Sequence, residues 1–243
     1  MHGLANPARF LRIARWLTPL LLVSGLIVAG GALAWGLFVA PAEGLQGETV
    51  RILYIHVPSA WLGMAGWMAV AAASFTELVW RHPLAGIAAR AAALPGAVYT
   101  ALCLVTGSLW GRPAWGTWWV WDGRLTSMLV LLFLYFAYMA LAQAADASSG
   151  NARVAAIFGL VGAVNVPIIH YSVLWWNSLH QPPSITANML VGGKSAMAPD
   201  FLWPLLVATL GFSLIFGGVV LARMRTILAD VQTEARLRRK AQA

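Results

Sequence analysis

The chain has 243 residues, 60% hydrophobic and 10% charged, with a mean hydropathy of +0.74, which is too apolar for an ordinary soluble domain. A single cysteine, Cys103, excludes an intrachain disulfide and any cysteine-clustered zinc or iron–sulfur site. The net charge of +8 does not point to nucleic acid, because the basic residues flank apolar runs instead of forming a patch.

Six apolar stretches, near 17–39, 58–80, 91–111, 127–145, 154–174 and 201–222, are each long enough to cross a bilayer, which takes about 20 residues. Lipid offers the backbone no hydrogen bonds, so each run is expected to be a helix. The first follows Arg9, Arg12 and Arg15 and ends at Ala40-Pro41-Ala42. That pattern imitates a signal peptide, but the apolar run from Trp16 to Ala40 far exceeds a signal core of about 7–15 residues, so a retained helix is expected. The second stretch carries His56 at its start, in YIHVP, and Glu77 near its end, four residues before Arg81. That spacing predicts an ion pair at the helix end. The connection RHPLAGIAAR then brings Arg81, His82 and Arg90.

Between the third and fourth stretches, residues 112–127 include WGTWWVWDGRLTS, with Trp115, Trp118, Trp119 and Trp121 close to Asp122 and Arg124. The fifth stretch follows Arg153 and contains Asn165, Pro167 and His170; a longer link with Trp175, Trp176, His180 and Lys194 follows. The sixth leads into a basic tail over 223–243. One side thus collects Arg9, Arg12, Arg15, Arg81, Arg90, Arg153, Arg223 and the tail, against Arg51, Arg112, Arg124 and Lys194 on the other. The imbalance predicts an all-α integral membrane protein, a single polytopic domain over 1–243 with six transmembrane helices and both termini cytoplasmic.

On the outer side, two readings of the tryptophans stand: an interfacial aromatic belt, or a platform for a flat ligand. Gly116 and Gly123 allow close backbone approach. Asp122 is flanked by Arg112 and Arg124, so an Asp–Arg pair is expected, with a cation left over for a ligand carboxylate. Of five histidines, His2 and His82 need no special role, whereas His56, His170 and His180 gather at the tryptophan level. Neutral imidazole ligates metals, haem iron included, and no Cys or Glu cluster favours bare zinc. Residue chemistry alone leaves His170 and His180 as alternatives. There is no P-loop, GxSxG or HExxH motif, so the chain does not read as an ATPase or hydrolase, and no enzymatic role is expected beyond an open question of assisting haem attachment to a partner.

TGSLWGRPAWGTWWVWDGRLTS resembles the WWD signature of haem-handling proteins, and YIHVPSAW and NVPIIHYSVLWWNSLHQ resemble the flanking segments of one branch, the cytochrome c maturation protein C (haem exporter protein C) family. The likeness runs from about Arg12 to Arg225. It implies that His56 and His180, not His170, are axial haem ligands. It further implies that the loop with Trp115, Trp118, Trp119 and Trp121 forms the platform. On that footing Asp122 is expected to orient the loop or an arginine, and Arg124, with Arg112 and Arg51, to meet propionates. The family acts in system I cytochrome c biogenesis at the bacterial inner membrane. It holds b-type haem non-covalently at the periplasmic face and passes it to the haem chaperone CcmE, beside the ABC transporter subunits CcmA and CcmB and the small single-span protein CcmD. Two other functions fit the same residues: a haem transporter subunit acting across the membrane, and a structural scaffold for an ABC complex.

Overall fold

The computed structural model describes residues 6–147, 152–176, 178–180 and 197–242. His2, Lys194 and most of the link between Trp175 and Asp200 lie outside them. Helices α1 (Pro7–Ala34), α2 (Leu53–Trp80), α3 (Ala85–Trp115), α4 (Gly123–Ala147), α5 (Ala152–Gly162), α6 (Asn165–Trp175) and α7 (Pro199–Ala241) make up the fold, with no strand among the described residues. They supply six candidate membrane spans, because α5 and α6 together form one, Arg153–Trp175. The chain is therefore a multi-pass membrane protein.

The helices outrun the apolar stretches at several ends, because helical hydrogen bonding continues where the side chains turn polar. Asn6 caps α1, its side chain accepting from the N–H groups of Ala8 and Arg9. At its far end α1 widens into a π-helical turn, Trp35–Val39. The break between α5 and α6 has a local cause. Pro167 offers no N–H, and the neighbouring bonds shorten to the three-residue type, Ala163 N–H to Leu160, Val164 to Val161 and Val166 to Ala163. Asn165 supports the break by donating to the Ser127 carbonyl at 2.9 Å.

α2 packs most extensively on α3, and α1 on α7. Small residues let the second pair approach, with Gly25, Gly211 and Gly218 lying directly against the facing helix. The interior is filled by fully buried Trp67, in edge contact with Tyr135 at 4.9 Å and Tyr138 at 6.2 Å. The Tyr135 hydroxyl donates to the Gly63 carbonyl at 2.7 Å, so this polar group is satisfied where no water reaches.

Two apolar clusters close the ends. Near the tryptophans, Ala40, Val50, Leu53, Tyr54 and Leu205 pack together. At the opposite end, Leu84, Ile87, Ala91, Met224 and Leu228 join α3 to α7, with Phe10 and Leu11 of α1 against them. The molecule thus has a tryptophan face and an arginine face on opposite sides of the span. At the arginine face the expected Glu77–Arg81 ion pair is not formed: Arg81 donates its backbone N–H to the Glu77 carbonyl, and the guanidinium in electrostatic reach of the Glu77 carboxylate is that of Arg90.

Candidate functional site

The site is built where α2 begins and α3 ends, beside the loop that enters α4. His56 lies in the first turns of α2. Its Nδ1 sits 3.0 Å from the Cys103 carbonyl and 3.1 Å from the Thr106 hydroxyl, both on α3. A carbonyl can only accept, so Nδ1 carries the hydrogen and Nε2 keeps its lone pair. The ring reaches α3 this closely because position 107 is glycine: a Cβ there would lie 2.9 Å from His56 Cε1. Trp110 meets the His56 ring edge-on at 5.7 Å and donates its indole N–H to Gln46 at 2.7 Å.

α3 ends at Gly116, whose φ of +77° is the left-handed cap conformation, with its N–H on the Arg112 carbonyl. The Arg112 side chain donates to the Gly116 carbonyl. The loop that follows is pinned by its own backbone: Ser108 donates to the Trp118 carbonyl at 2.8 Å and Thr117 to the Trp119 carbonyl at 3.1 Å. The rings divide into two sets. Trp118 and Trp121 are 55% and 75% exposed. Trp119 meets Trp121 edge-on at 5.5 Å, with its indole N–H buried and unpartnered among the described residues.

Asp122 opens α4 and is buried. One carboxylate oxygen accepts the Leu125 N–H at 2.8 Å, as a helix cap does; the other accepts from the Ser178 hydroxyl and lies 3.1 Å from His180 Nδ1. Burial alone would lift this carboxyl, but the Ser178, Leu125 and His180 hydrogen bonds hold it below the usual carboxylate range. The ionised oxygen fixes the hydrogen on His180 Nδ1, again leaving Nε2 with its lone pair. This is the carboxylate–histidine arrangement that orients metal-ligating imidazoles. Burial holds the His180 imidazole below its ordinary 6.5, against the opposing pull of Asp122. The ring is therefore neutral at pH 7. Trp115 packs edge-on against it at 4.8 Å.

His56 and His180 lie within electrostatic reach of each other, and Arg124 within reach of both. The structure thus gathers His56, His180, Trp115, Asp122 and Arg124. The expected Asp122–Arg pair is absent among the described residues, because Asp122 is saturated by Ser178, His180 and Leu125. Arg124 instead donates to the His170 carbonyl at 3.2 Å, and Arg51 is taken by Glu48 at 2.6 Å. His170 contributes that carbonyl while its ring stands edge-on to Tyr171 at 4.8 Å. Thr106, Gly107 and Ser178 were not singled out by sequence reasoning, and Cys103 was noted only as the lone thiol, not for its carbonyl. Only Ser178 left a local trace, two residues before His180 and accepting that residue's N–H at 3.1 Å. No group of three or more His, Cys, Asp or Glu able to hold a bare ion occurs among the described residues.

Comparison with known proteins agrees on one family. The family model described as heme exporter protein C matches residues 1–239. The chain is 52% identical over 225 residues to heme exporter protein C of Bradyrhizobium diazoefficiens, covering 91% of this chain and 82% of that protein. It is 44% identical over 228 residues to the Escherichia coli K12 protein of the same name, covering 94% and 90%. A putative cytochrome c biosynthesis ccmC-like mitochondrial protein of Marchantia polymorpha is 45% identical over 171 residues, 70% of this chain and 72% of that protein.

Proposed function

The chain belongs to the heme exporter protein C family, and from that membership we propose that it holds haem at the outer face of a bacterial inner membrane for delivery to a periplasmic haem chaperone. The observation that carries this reading is the matched state of two imidazoles. His56 on the Cys103 carbonyl and His180 on Asp122 each have Nδ1 engaged and Nε2 left as a donor atom for iron. The tryptophan face is read as periplasmic because Arg9, Arg12, Arg15, Arg81, Arg90, Arg153, Arg223 and the basic tail belong to the other.

In this reading haem is cargo, b-type and non-covalently held. Trp115, Trp118, Trp119 and Trp121 supply apolar ring surface, and the unpartnered Trp119 indole N–H supplies a donor. Arg124 spends one donor on the His170 carbonyl and keeps others for a propionate. Arg112 has a similar reserve, whereas Arg51 is engaged by Glu48. Asp122 acts on His180 and the start of α4 rather than on an arginine. The exposure of Trp118 and Trp121 leaves one edge of such a site open to the chaperone CcmE. The packed centre at Trp67 and Tyr135 favours a holding role over a conduit through this chain. That leaves energy-driven work to an ABC partner, CcmA and CcmB with CcmD.

Visible spectroscopy and a pyridine haemochrome assay on the purified chain test this. The wild type should carry haem with a Soret band, His56→Ala or His180→Ala should shift or deplete it, and His170→Ala should leave it in place. An unchanged spectrum in the His56→Ala, His180→Ala double variant would sink axial ligation by this pair.

A further inference from the structure

A cavity of about 610 Å³ lies at the arginine face, bounded by the end of α2, the start of α3, the later turns of α4, the start of α5, and Val231 of α7. Its charged lining is Arg81, Arg90, Arg153 and Glu77, and its apolar lining includes Ile87 and Ala156. Glu77 is in electrostatic reach of Arg90. Arg81 and Arg153 make no ion pair among the described residues. Cations outnumber the carboxylate around a space that also has hydrocarbon walls. Guanidinium forks match phosphate oxygens, and apolar walls do not suit a small hydrated anion.

Arg81 itself adds a second observation. It caps α2 at φ 50° and ψ 39°, the left-handed region, the lone residue other than glycine with positive φ among the described residues. Glycine would hold that cap without the steric cost an arginine bears. His82, next along, accepts the Leu84 N–H on Nδ1 at 3.3 Å, which leaves its hydrogen on Nε2 as a further donor. The turn between α2 and α3 thus concentrates donors between the ends of two candidate spans, Glu48–Trp80 and Ala85–Trp115.

We propose that this cavity binds the phosphodiester headgroup of an anionic phospholipid from the adjacent leaflet, with Arg81 and Arg153 on the phosphate and the apolar wall against the glycerol and upper acyl carbons. Basic pockets between membrane helices are suited to such headgroups. The cavity has neither the paired Nε2 atoms nor the indole surface of the tryptophan face, so its chemistry is distinct from that of the cargo site.

The test uses the full-length chain in detergent, offered phosphatidylglycerol, with lipid retained through size exclusion counted by mass spectrometry. The wild type should keep phosphatidylglycerol, and Arg81→Gln or Arg153→Gln should each weaken retention about fivefold, the double variant more. The Arg81→Lys, Arg153→Lys variant keeps both charges and should retain lipid far better than the glutamine pair, which separates charge recognition from misfolding. Inorganic phosphate at millimolar concentration should not displace the lipid. Equal retention by wild type and the double glutamine variant overturns the proposal. Displacement by inorganic phosphate alone would make this a free-anion site. Displacement by protohaem, with a second haem equivalent bound, would make it a cargo site; each of those results overturns the lipid assignment too.

Discussion

The two faces of this molecule handle charge in opposite ways. At the tryptophan face the groups that set the two imidazoles are committed to directional bonds: Asp122 to Leu125, Ser178 and His180, and His56 to Cys103, with Arg124 tied to His170 and Arg112 to Gly116 by one donor each. At the arginine face, guanidinium groups surround a cavity, and two of them make no ion pair among the described residues. Directional bonds fix atoms and so suit coordination, where tenths of an ångström matter. Gathered cations create a field, which suits a diffuse anion. The contrast also separates the two in failure: geometric sites collapse on single changes, and field sites weaken charge by charge.

The largest expected effect comes from Asp122→Asn. The amide can still accept the Leu125 N–H and begin α4, but it no longer presents a carboxylate to His180. Haem retention should fall about 10- to 100-fold with helicity preserved, measured by haemochrome yield and circular dichroism. A near-normal yield would mean that the tryptophan face does not depend on direction. Gly107→Ala should come next. Its new Cβ would lie 2.9 Å from His56 Cε1, so the ring must move, at a cost of about 1–3 kcal/mol to stability and with a perturbed Soret band. Trp121→Ala separates belt from platform. A side chain 75% exposed should contribute within about 0.5 kcal/mol to the fold, so the melting temperature should hold while haem retention drops about threefold to tenfold. A belt role predicts no change in retention. The smallest effect is a pH profile. The His180 imidazole is held below 6.5, so protons compete with iron only under more acidic conditions. Retention should stay level from mildly alkaline pH down to 6.5 and fall beneath it. A fall starting above that value would mean that burial does not govern the ring.

Much of the frame was legible from apolar runs, because a bilayer imposes one length and one backbone solution on every crossing. Helix ends were less so, since polar residues extend helices at no cost once outside lipid: α7 continues to Ala241 through a basic tail. Pro167, which lacks an N–H, stands in the fifth apolar stretch, but the sequence does not show that the crossing splits there into α5 and α6. At the site, residue types pointed to the right neighbourhood, yet partners did not follow from proximity in sequence. Asp122 lies beside Arg124 in the chain and bonds instead across 58 positions to His180. Glu77 similarly turns from Arg81 to Arg90, because a left-handed Arg81 leaves the helical spacing on which an i,i+4 pair depends. Such choices are made by how α2, α3 and the α4 entry meet in space.

The two imidazoles are mounted on unequal supports. His56 belongs to a transmembrane helix and is tied to the backbone of the helix it packs on most tightly. His180 follows α6 outside any helix and is tied to a single carboxylate and a serine. One post is anchored in the frame and the other hangs from a latch. On the proposed reading, a cargo clasped between them would be freed most cheaply by undoing the latch, the His180 side giving way before the His56 side.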